Sequence, residues 1–364
     1  MSFRKWFFAP RAVALALVFV VFGATGALAQ TFAYVTNQDG NTVSVIDTGT
    51  SAVTATVPVG AAPIPVAATP DGAFVWVSNL GDSTISVIDT ATNTVVQVLP
   101  VAPFSFGIAF MPDGAFAYVT SAATGEVTVI DTATFLTTAV IPTFAVVLGE
   151  IAITPDGALA YVTTGEFNTV IVIDTATNTV IANIPAVVPN DVAVTPDGAF
   201  AYVTNQISGP DPSVSVIDTA TNTIVATIPT DPSPTGIAIT PNGAFAYVTH
   251  LNLGTVSVID TATNTVVASV PVPGSFLVGV AVTPDGASVY VTNTATDSVV
   301  VIDTATNTVT GSVPVGDSPQ QIAFATPPPP SPTSKDQCKN GGWQTFTNPS
   351  FNSQGECIKY VNGL

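Results

Sequence analysis

Between Gln30 and Ser334 the chain contains no lysine and no arginine. Its six basic residues are Arg4, Lys5 and Arg11 near the start and Lys335, Lys339 and Lys359 near the end. A body without cations excludes an Arg or Lys clamp on a phosphorylated substrate and a Lys Schiff base. Twenty-four acidic residues make a field that repels nucleic-acid phosphates and anionic lipid head groups, so no nucleic-acid partner is expected. Histidine occurs once, at His250, which excludes a zinc site built from several imidazoles. Both cysteines, Cys338 and Cys357, lie near the C-terminus, so the body has no thiol nucleophile. Long apolar runs are also missing after Phe22, because Asp, Asn, Gly or Pro interrupts each one. No integral membrane span is expected there. No catalytic residue is assigned.

The N-terminus does carry one short apolar run. Arg4, Lys5 and Arg11 precede Ala12–Phe22, and Ala27-Leu28-Ala29 supplies a small-x-small cleavage site before Gln30. That order predicts a secretory signal peptide over residues 1–29, cut after Ala29, and a secreted, periplasmic or cell-surface protein. Removing it leaves 3 basic against 24 acidic residues, a net charge of −21. In an oxidising compartment Cys338 and Cys357 are expected to form a disulfide.

What fills the body is a repeat. The phrase "IDT" places an aspartate at Asp47, Asp89, Asp131, Asp174, Asp218, Asp260 and Asp303, at intervals of 42 to 44 residues. A second phrase keeps step with it, with its aromatic at Tyr34, Trp76, Tyr118, Tyr161, Tyr202, Tyr247 and Tyr290, usually as "YVTN". A third, "TPDG" or a close variant, ends at Gly72, Gly114, Gly157, Gly198, Gly243 and Gly286. A period near forty residues decides architecture before any local reading. Each repeat reads as four short strands: "GIAIT", a Pro-Asp-Gly turn, "AFAYVTN", a polar loop, "TVSVID", the turn "TATNT", and "VVATIPV" ending at proline. The prediction is an all-β, seven-bladed β-propeller of four-stranded antiparallel blades spanning 30–325.

The first repeat lacks its inner strand and the last is followed by an extra one, "QQIAFATP". These fragments complete one blade, so the C-terminal strand should pair into the first blade and close the ring. The aspartates of "IDT" are expected to cap their turns, and the Tyr of "YVTN" to pack between strands. A ring of seven carboxylates around one Ca²⁺ is less expected, because they sit in separate blades. Beyond the body, "TPPPPSPTS" at 326–334 forms a stiff linker, and 335–364 is a short tail dependent on its disulfide.

YVTN, TPDG and IDTATNTV together resemble the YVTN family of β-propeller repeat proteins, found among secreted and surface-layer proteins. The resemblance spans Thr31–Ala325 and implies fold, not activity. The tail also resembles a short C-terminal segment that recurs on secreted bacterial proteins.

Function is sought where the repeats disagree. The TPDG and TATNT turns share one face and hardly vary. The opposite face is formed by loops after YVTN and loops between blades, and there Phe104, Phe106, Phe144, Phe167 and Phe276 appear. Variable loops on a rigid scaffold suit ligand binding. Just before each inner strand stand Pro65, Gly107, Glu150, Asp191, Gly236, Gly279 and Gln321. Glu150 and Asp191 should therefore neighbour one another near the channel mouth, where they would hold a cation such as Ca²⁺ or raise each other's pKa. His250 stands where other repeats have Asn37, Asn79, Ser121, Thr164, Asn205 and Asn293; a polar turn residue is the simpler expectation, and it joins the candidate set on the variable face. The preferred expectation is a non-enzymatic binding scaffold for a protein, glycan or small ligand, as monomer or surface assembly, with no cofactor unless Ca²⁺. A Ca²⁺-dependent hydrolase similar to the propeller lactonases, using Glu150 and Asp191, and a surface-layer component are the alternatives.

Overall fold

The computed structural model describes residues 30–143, 145, 147–206, 211–328, 335–339 and 352–363. The expected leader at 1–29, Phe144 and residues 329–334 of the expected linker lie outside them. The described body consists of seven four-stranded antiparallel sheets. Each sheet takes one repeat, as in blade six: Pro234–Ile239, Phe245–His250, Thr255–Asp260 and Thr265–Pro271. The exception is blade one, where Pro319–Ala325 lies beside Phe32–Asn37 with Phe32 opposite Ala325 and Tyr34 opposite Ala323. The two ends of the propeller body thus share one sheet, and the ring is closed.

Short polar side chains hold the turns. In the first TPDG turn, Asp71 accepts hydrogen bonds from the Thr69 hydroxyl and the Ala73 N–H, while Gly72 takes φ +70°. In the IDT turn of blade seven, Asp303 accepts from both the N–H and the hydroxyl of Thr306. Those donors favour the ionised form and hold the Asp303 carboxyl below the usual range. Asn307 then adopts φ +52°, a left-handed conformation that Asn tolerates well. The outer strands carry no charged residue, yet each ends at proline and each is broken by a register shift against its neighbour. Proline and bulge both blunt an edge that would otherwise template strand addition.

The core lies in the seams between blades. One cluster joins Tyr247, Val256 and Val258 of blade six to Leu277, Val289 and Val291 of blade seven. Another joins Tyr290 and Val299 of blade seven to Ala33, Val35 and Ile46 of blade one, so the closing seam is as apolar as the rest. Across each seam the aromatic of "YVTN" reaches the TATNT turn of the following blade. Tyr34, Tyr118, Tyr161, Tyr202 and Tyr247 donate their hydroxyls to the side-chain oxygens of Asn93, Asn178, Asn222, Asn264 and Asn307, at 2.6 to 2.8 Å. Tyr290 finds Ser51, the residue at the Asn position of the first turn. The seventh seam differs on both sides at once: Trp76 replaces Tyr, and Phe135 replaces Asn, with ring centroids 6.0 Å apart. An indole has no hydroxyl for an amide, so a second ring takes the amide's place.

These tyrosines were expected to pack within blades; they also latch one blade to the next. Tyr247→Phe should lower stability by about 1 kcal/mol, a Tm fall of a few degrees, and the loss should not add to that of Asn307→Ala in a double-mutant cycle. Burial raises every latch tyrosine, with Tyr202 and Tyr247 pushed up to about 12. Their contribution is complete below the free-phenol pKa of about 10 and is lost as pH rises through 12. Circular dichroism should therefore show the fold failing on alkaline titration, and Tyr247→Phe should soften that dependence.

Candidate functional site

A ring of β-bulges forms the mouth of the central channel. In blade two the inner strand pairs at Pro63 with Asn79 and again at Val66 with Val77, leaving Ile64 and Pro65 out of register. The same interruption occurs between Ser105 and Ile108, Pro189 and Val192, Pro234 and Ile237, Leu277 and Val280. Pro65, Gly107, Asp191, Gly236, Gly279 and Gln321 therefore stand inside their inner strands rather than ahead of them. Only Glu150 precedes its strand, Ile151–Ile153. The reason is the bulge: a paired residue before it begins each of the longer strands three residues ahead of the expected start.

A bulge leaves backbone groups without ladder partners, and the threonine of "YVTN" supplies them. Thr120, Thr204, Thr249 and Thr292 accept from the N–H groups of Gly107, Asp191, Gly236 and Gly279 in their own blades. Blade two needs no such acceptor, because Pro65 has no N–H. The same hydroxyls donate across the seam. Thr36, Ser78, Thr120, Thr163, Thr204, Thr249 and Thr292 reach carbonyls of Ile64, Ser105, Gly149, Asn190, Thr235, Val278 and Gln320, all between 2.6 and 2.9 Å.

Out-of-register residues point into the channel and enclose a cavity of about 280 Å³. Ile64, Phe106, Val278 and Ile322 give it apolar walls, and Glu150, Asp191 and Gln321 its polar groups. Glu150 and Asp191 come from neighbouring blades four and five, whereas Gln321 comes from blade one on the opposite side of the ring. Its side-chain amide nonetheless donates to the Glu150 carboxylate. Asp191 accepts from the N–H groups of Val192 at 2.7 Å and Ile237 at 2.9 Å. Both acids are half-buried, and both pKa values rise. Desolvation raises Asp191 to about 6 against the pull of its two N–H donors. Desolvation first, then the Asp191 charge, lifts Glu150 well above the carboxylate range.

The remaining candidates divide. Phe106 lines the cavity, while Phe104, Phe167 and Phe276 are exposed on the same face. His250 lies away from the solvent, fully buried, with Nδ1 3.2 Å from the Pro232 carbonyl and Nε2 2.8 Å from the Ser257 hydroxyl. Burial depresses its pKa and keeps the imidazole neutral. It acts as the polar pin that Asn37 and Asn79 provide in their blades. Gln206 and Leu251, each the residue after a "YVTN" phrase, also line the cavity and went unremarked in the sequence; their phase in the repeat was the available signal. Among the described residues, no three His, Cys, Asp or Glu side chains converge as a metal cluster.

Outside the body, Cys338 and Cys357 are joined by a disulfide, and a helix spans Gln354–Gly363. No helix among the described residues is long and apolar enough to cross a membrane.

Seven blades around a channel whose mouth is built from bulges define the protein as a β-propeller. It belongs to the YNCE-like beta-propeller family, whose profile matches residues 8–327. Among solved structures it is similar to Kuenenia stuttgartiensis hydrazine synthase, at 27% identity over 75% of this chain and 92% of that one, with a TM-score of 0.69. A functionally unknown protein from Desulfotomaculum acetoxidans shares the fold at 21% identity, covering 81% and 99%, with a TM-score of 0.72. So does the dihydro-heme d1 dehydrogenase NirN in complex with DHE, at 15% identity, 80% and 74%, with a TM-score of 0.61. No curated protein matches the sequence significantly.

A carboxyl whose pKa is raised by folding destabilises the native state once it must ionise. The stability associated with Glu150 is complete below about pH 4 and declines as pH rises through its raised value. Glu150→Gln, which retains an oxygen for Gln321, should raise Tm by a few degrees at pH 8 and leave it unchanged at pH 4.

Proposed function

We propose that this propeller is a non-catalytic binding protein, exported from the cytoplasm, that takes a small positively charged group at its channel mouth. One observation carries the reading: Glu150 and Asp191 share an apolar-walled cavity in a body that offers no lysine or arginine to neutralise them. An incoming cation offsets the cost of burying two carboxylates side by side and restores the ionised pair, so binding draws on the burial that raises both pKa values. The Gln321 amide orients Glu150, and Ile64, Phe106 and Val278 offer apolar contact to whatever carries the charge. Export is supported by the composition of the leader and by the tail disulfide.

A Ca²⁺-dependent hydrolase is less well supported. Calcium takes six to eight oxygens, and two carboxylates with one amide supply few of them. Hydrazine synthase and NirN carry names of enzymes, but the similarity extends to the ring, and their chemistry is theirs.

Calorimetric titration with n-butylamine and with CaCl₂ tests the proposal. Amine binding should weaken about tenfold in Glu150→Gln and should fall as pH drops through 6, where Asp191 takes up its proton. Absence of amine binding at pH 8, or binding indifferent to Glu150→Gln, would overturn it. Tight Ca²⁺ binding lost in the same variant would favour the hydrolase.

A further inference from the structure

The rings around the mouth are exposed in a way that the fold does not require. Large apolar side chains left exposed on the outer strands, such as Val96, Ile181 and Val225, are β-branched residues at home in strands. Among the described residues the exposed phenylalanines are Phe104, Phe167 and Phe276, all on the variable face instead. Phe104 is 58% exposed and Phe276 50%, each two residues from a cavity-lining position, Phe106 and Val278. Leu253, 46% exposed, follows Leu251 of the cavity wall.

Both phenylalanines also hold left-handed backbone, φ +51° at Phe104 and +62° at Phe276. Each is the turning position of an inter-blade connection, filled in the other blades by Ala62, Val147, Val188, Ser233 and Ser318, all at positive φ. Glycine or asparagine would take that conformation with less strain. That left-handed backbone is common to all seven connections and belongs to the fold. What sets Phe104 and Phe276 apart is a solvated aromatic ring at a position that serves no core, and exposed apolar groups of this kind mark contact with something outside the chain. The surrounding charge is entirely acidic: Asp82, Asp297 and Asp317 are exposed in loops of the same face, with no lysine or arginine among the body's residues.

We propose that the partner is a protein segment rich in basic and apolar residues. One lysine or arginine head enters the channel mouth between Glu150 and Asp191. Neighbouring apolar side chains lie on Phe104, Phe276 and Leu253, and the remaining basic groups face the acidic loops. This rests on the cation-binding reading of the mouth and extends it from a charged group to the chain that presents it. The stem of a long basic side chain suits walls made by Ile64, Phe106 and Val278. An anionic lipid surface is disfavoured by the same aspartates.

The test uses three probes in calorimetry with the whole protein: a synthetic peptide alternating Lys and Leu, the same peptide with Glu for Lys, and n-butylamine. The Lys peptide should bind at least tenfold more tightly than the amine, and the Glu peptide should not bind. Phe104→Ser/Phe276→Ser should cut peptide affinity about tenfold and leave the amine unchanged, whereas Glu150→Gln should weaken both. Both serines fit positions where Ser233 and Ser318 already stand, so folding should survive, as a matching circular dichroism spectrum would confirm. Peptide binding indifferent to the double substitution would overturn the proposal while leaving the mouth as a cation site; loss of all response to Glu150→Gln would remove both. Co-sedimentation with phosphatidylcholine vesicles that disappears in the double variant would assign the rings to lipid and overturn it equally.

Discussion

A hydroxyl at the third letter of "YVTN" holds the seams together at the mouth of the channel. Bulged inner strands cannot satisfy their own N–H and C=O groups, and those groups are buried against the neighbouring blade. Thr249 accepts from Gly236 in its own sheet and donates to Val278 in the next. Without such a hydroxyl the bulge would straighten or leave polar groups orphaned, each at a cost of about 1–3 kcal/mol. Because the bulge re-aims its side chains, the cavity depends on that bond. Valine in place of the threonine would have the right shape and the wrong chemistry.

Stability and binding potential are separated by face. On the constant face the acids are satisfied by the chain itself: Asp218, Asp260 and Asp303 accept from their own turns, and their pKa values fall. At the channel mouth the acids are crowded and partly dehydrated, and their pKa values rise. The same residue type therefore stabilises one end of the ring and strains the other. Tyr–Asn latches on the stable end offset what the mouth costs, and closure through Pro319–Ala325 lets every seam contribute.

Much of this was legible in the order of residues. A period of 42 to 44 residues, with a strand missing from the first repeat and a spare one after the last, left little but a closed seven-bladed ring. The turn roles of Asp and Gly followed from their local chemistry, and both were observed. The latch was harder to see. Tyr34 and Asn93 stand 59 residues apart, and only their shared phase hints at contact. In hindsight the double exception, Trp76 with Phe135, was the signal, because two departures from the repeat fall on one seam. The placement of Glu150 beside Asp191 is readable from phase as well, but the bulge is not, and every inner strand except Ile151–Ile153 begins three residues before its expected start.

What the sequence determined by itself is whatever a repeat of local signals determines: strand, turn, blade count, ring closure and the sign of the charge. Period, turn chemistry and absence of basic residues act over a few positions or over the whole composition, and neither depends on knowing the fold in advance. Tertiary structure alone decided which isolated groups meet. Gln321 and Glu150 are 171 residues apart and come from opposite sides of the ring, and no pattern along the chain pairs them. His250 reads from its phase as a polar turn residue and from its face as a candidate ligand contact, and its burial against Ser257 decides for the structural role. Such outcomes are set by the radius of the closed ring and by which way each bulge turns a side chain, quantities that exist only once all seven blades are in place.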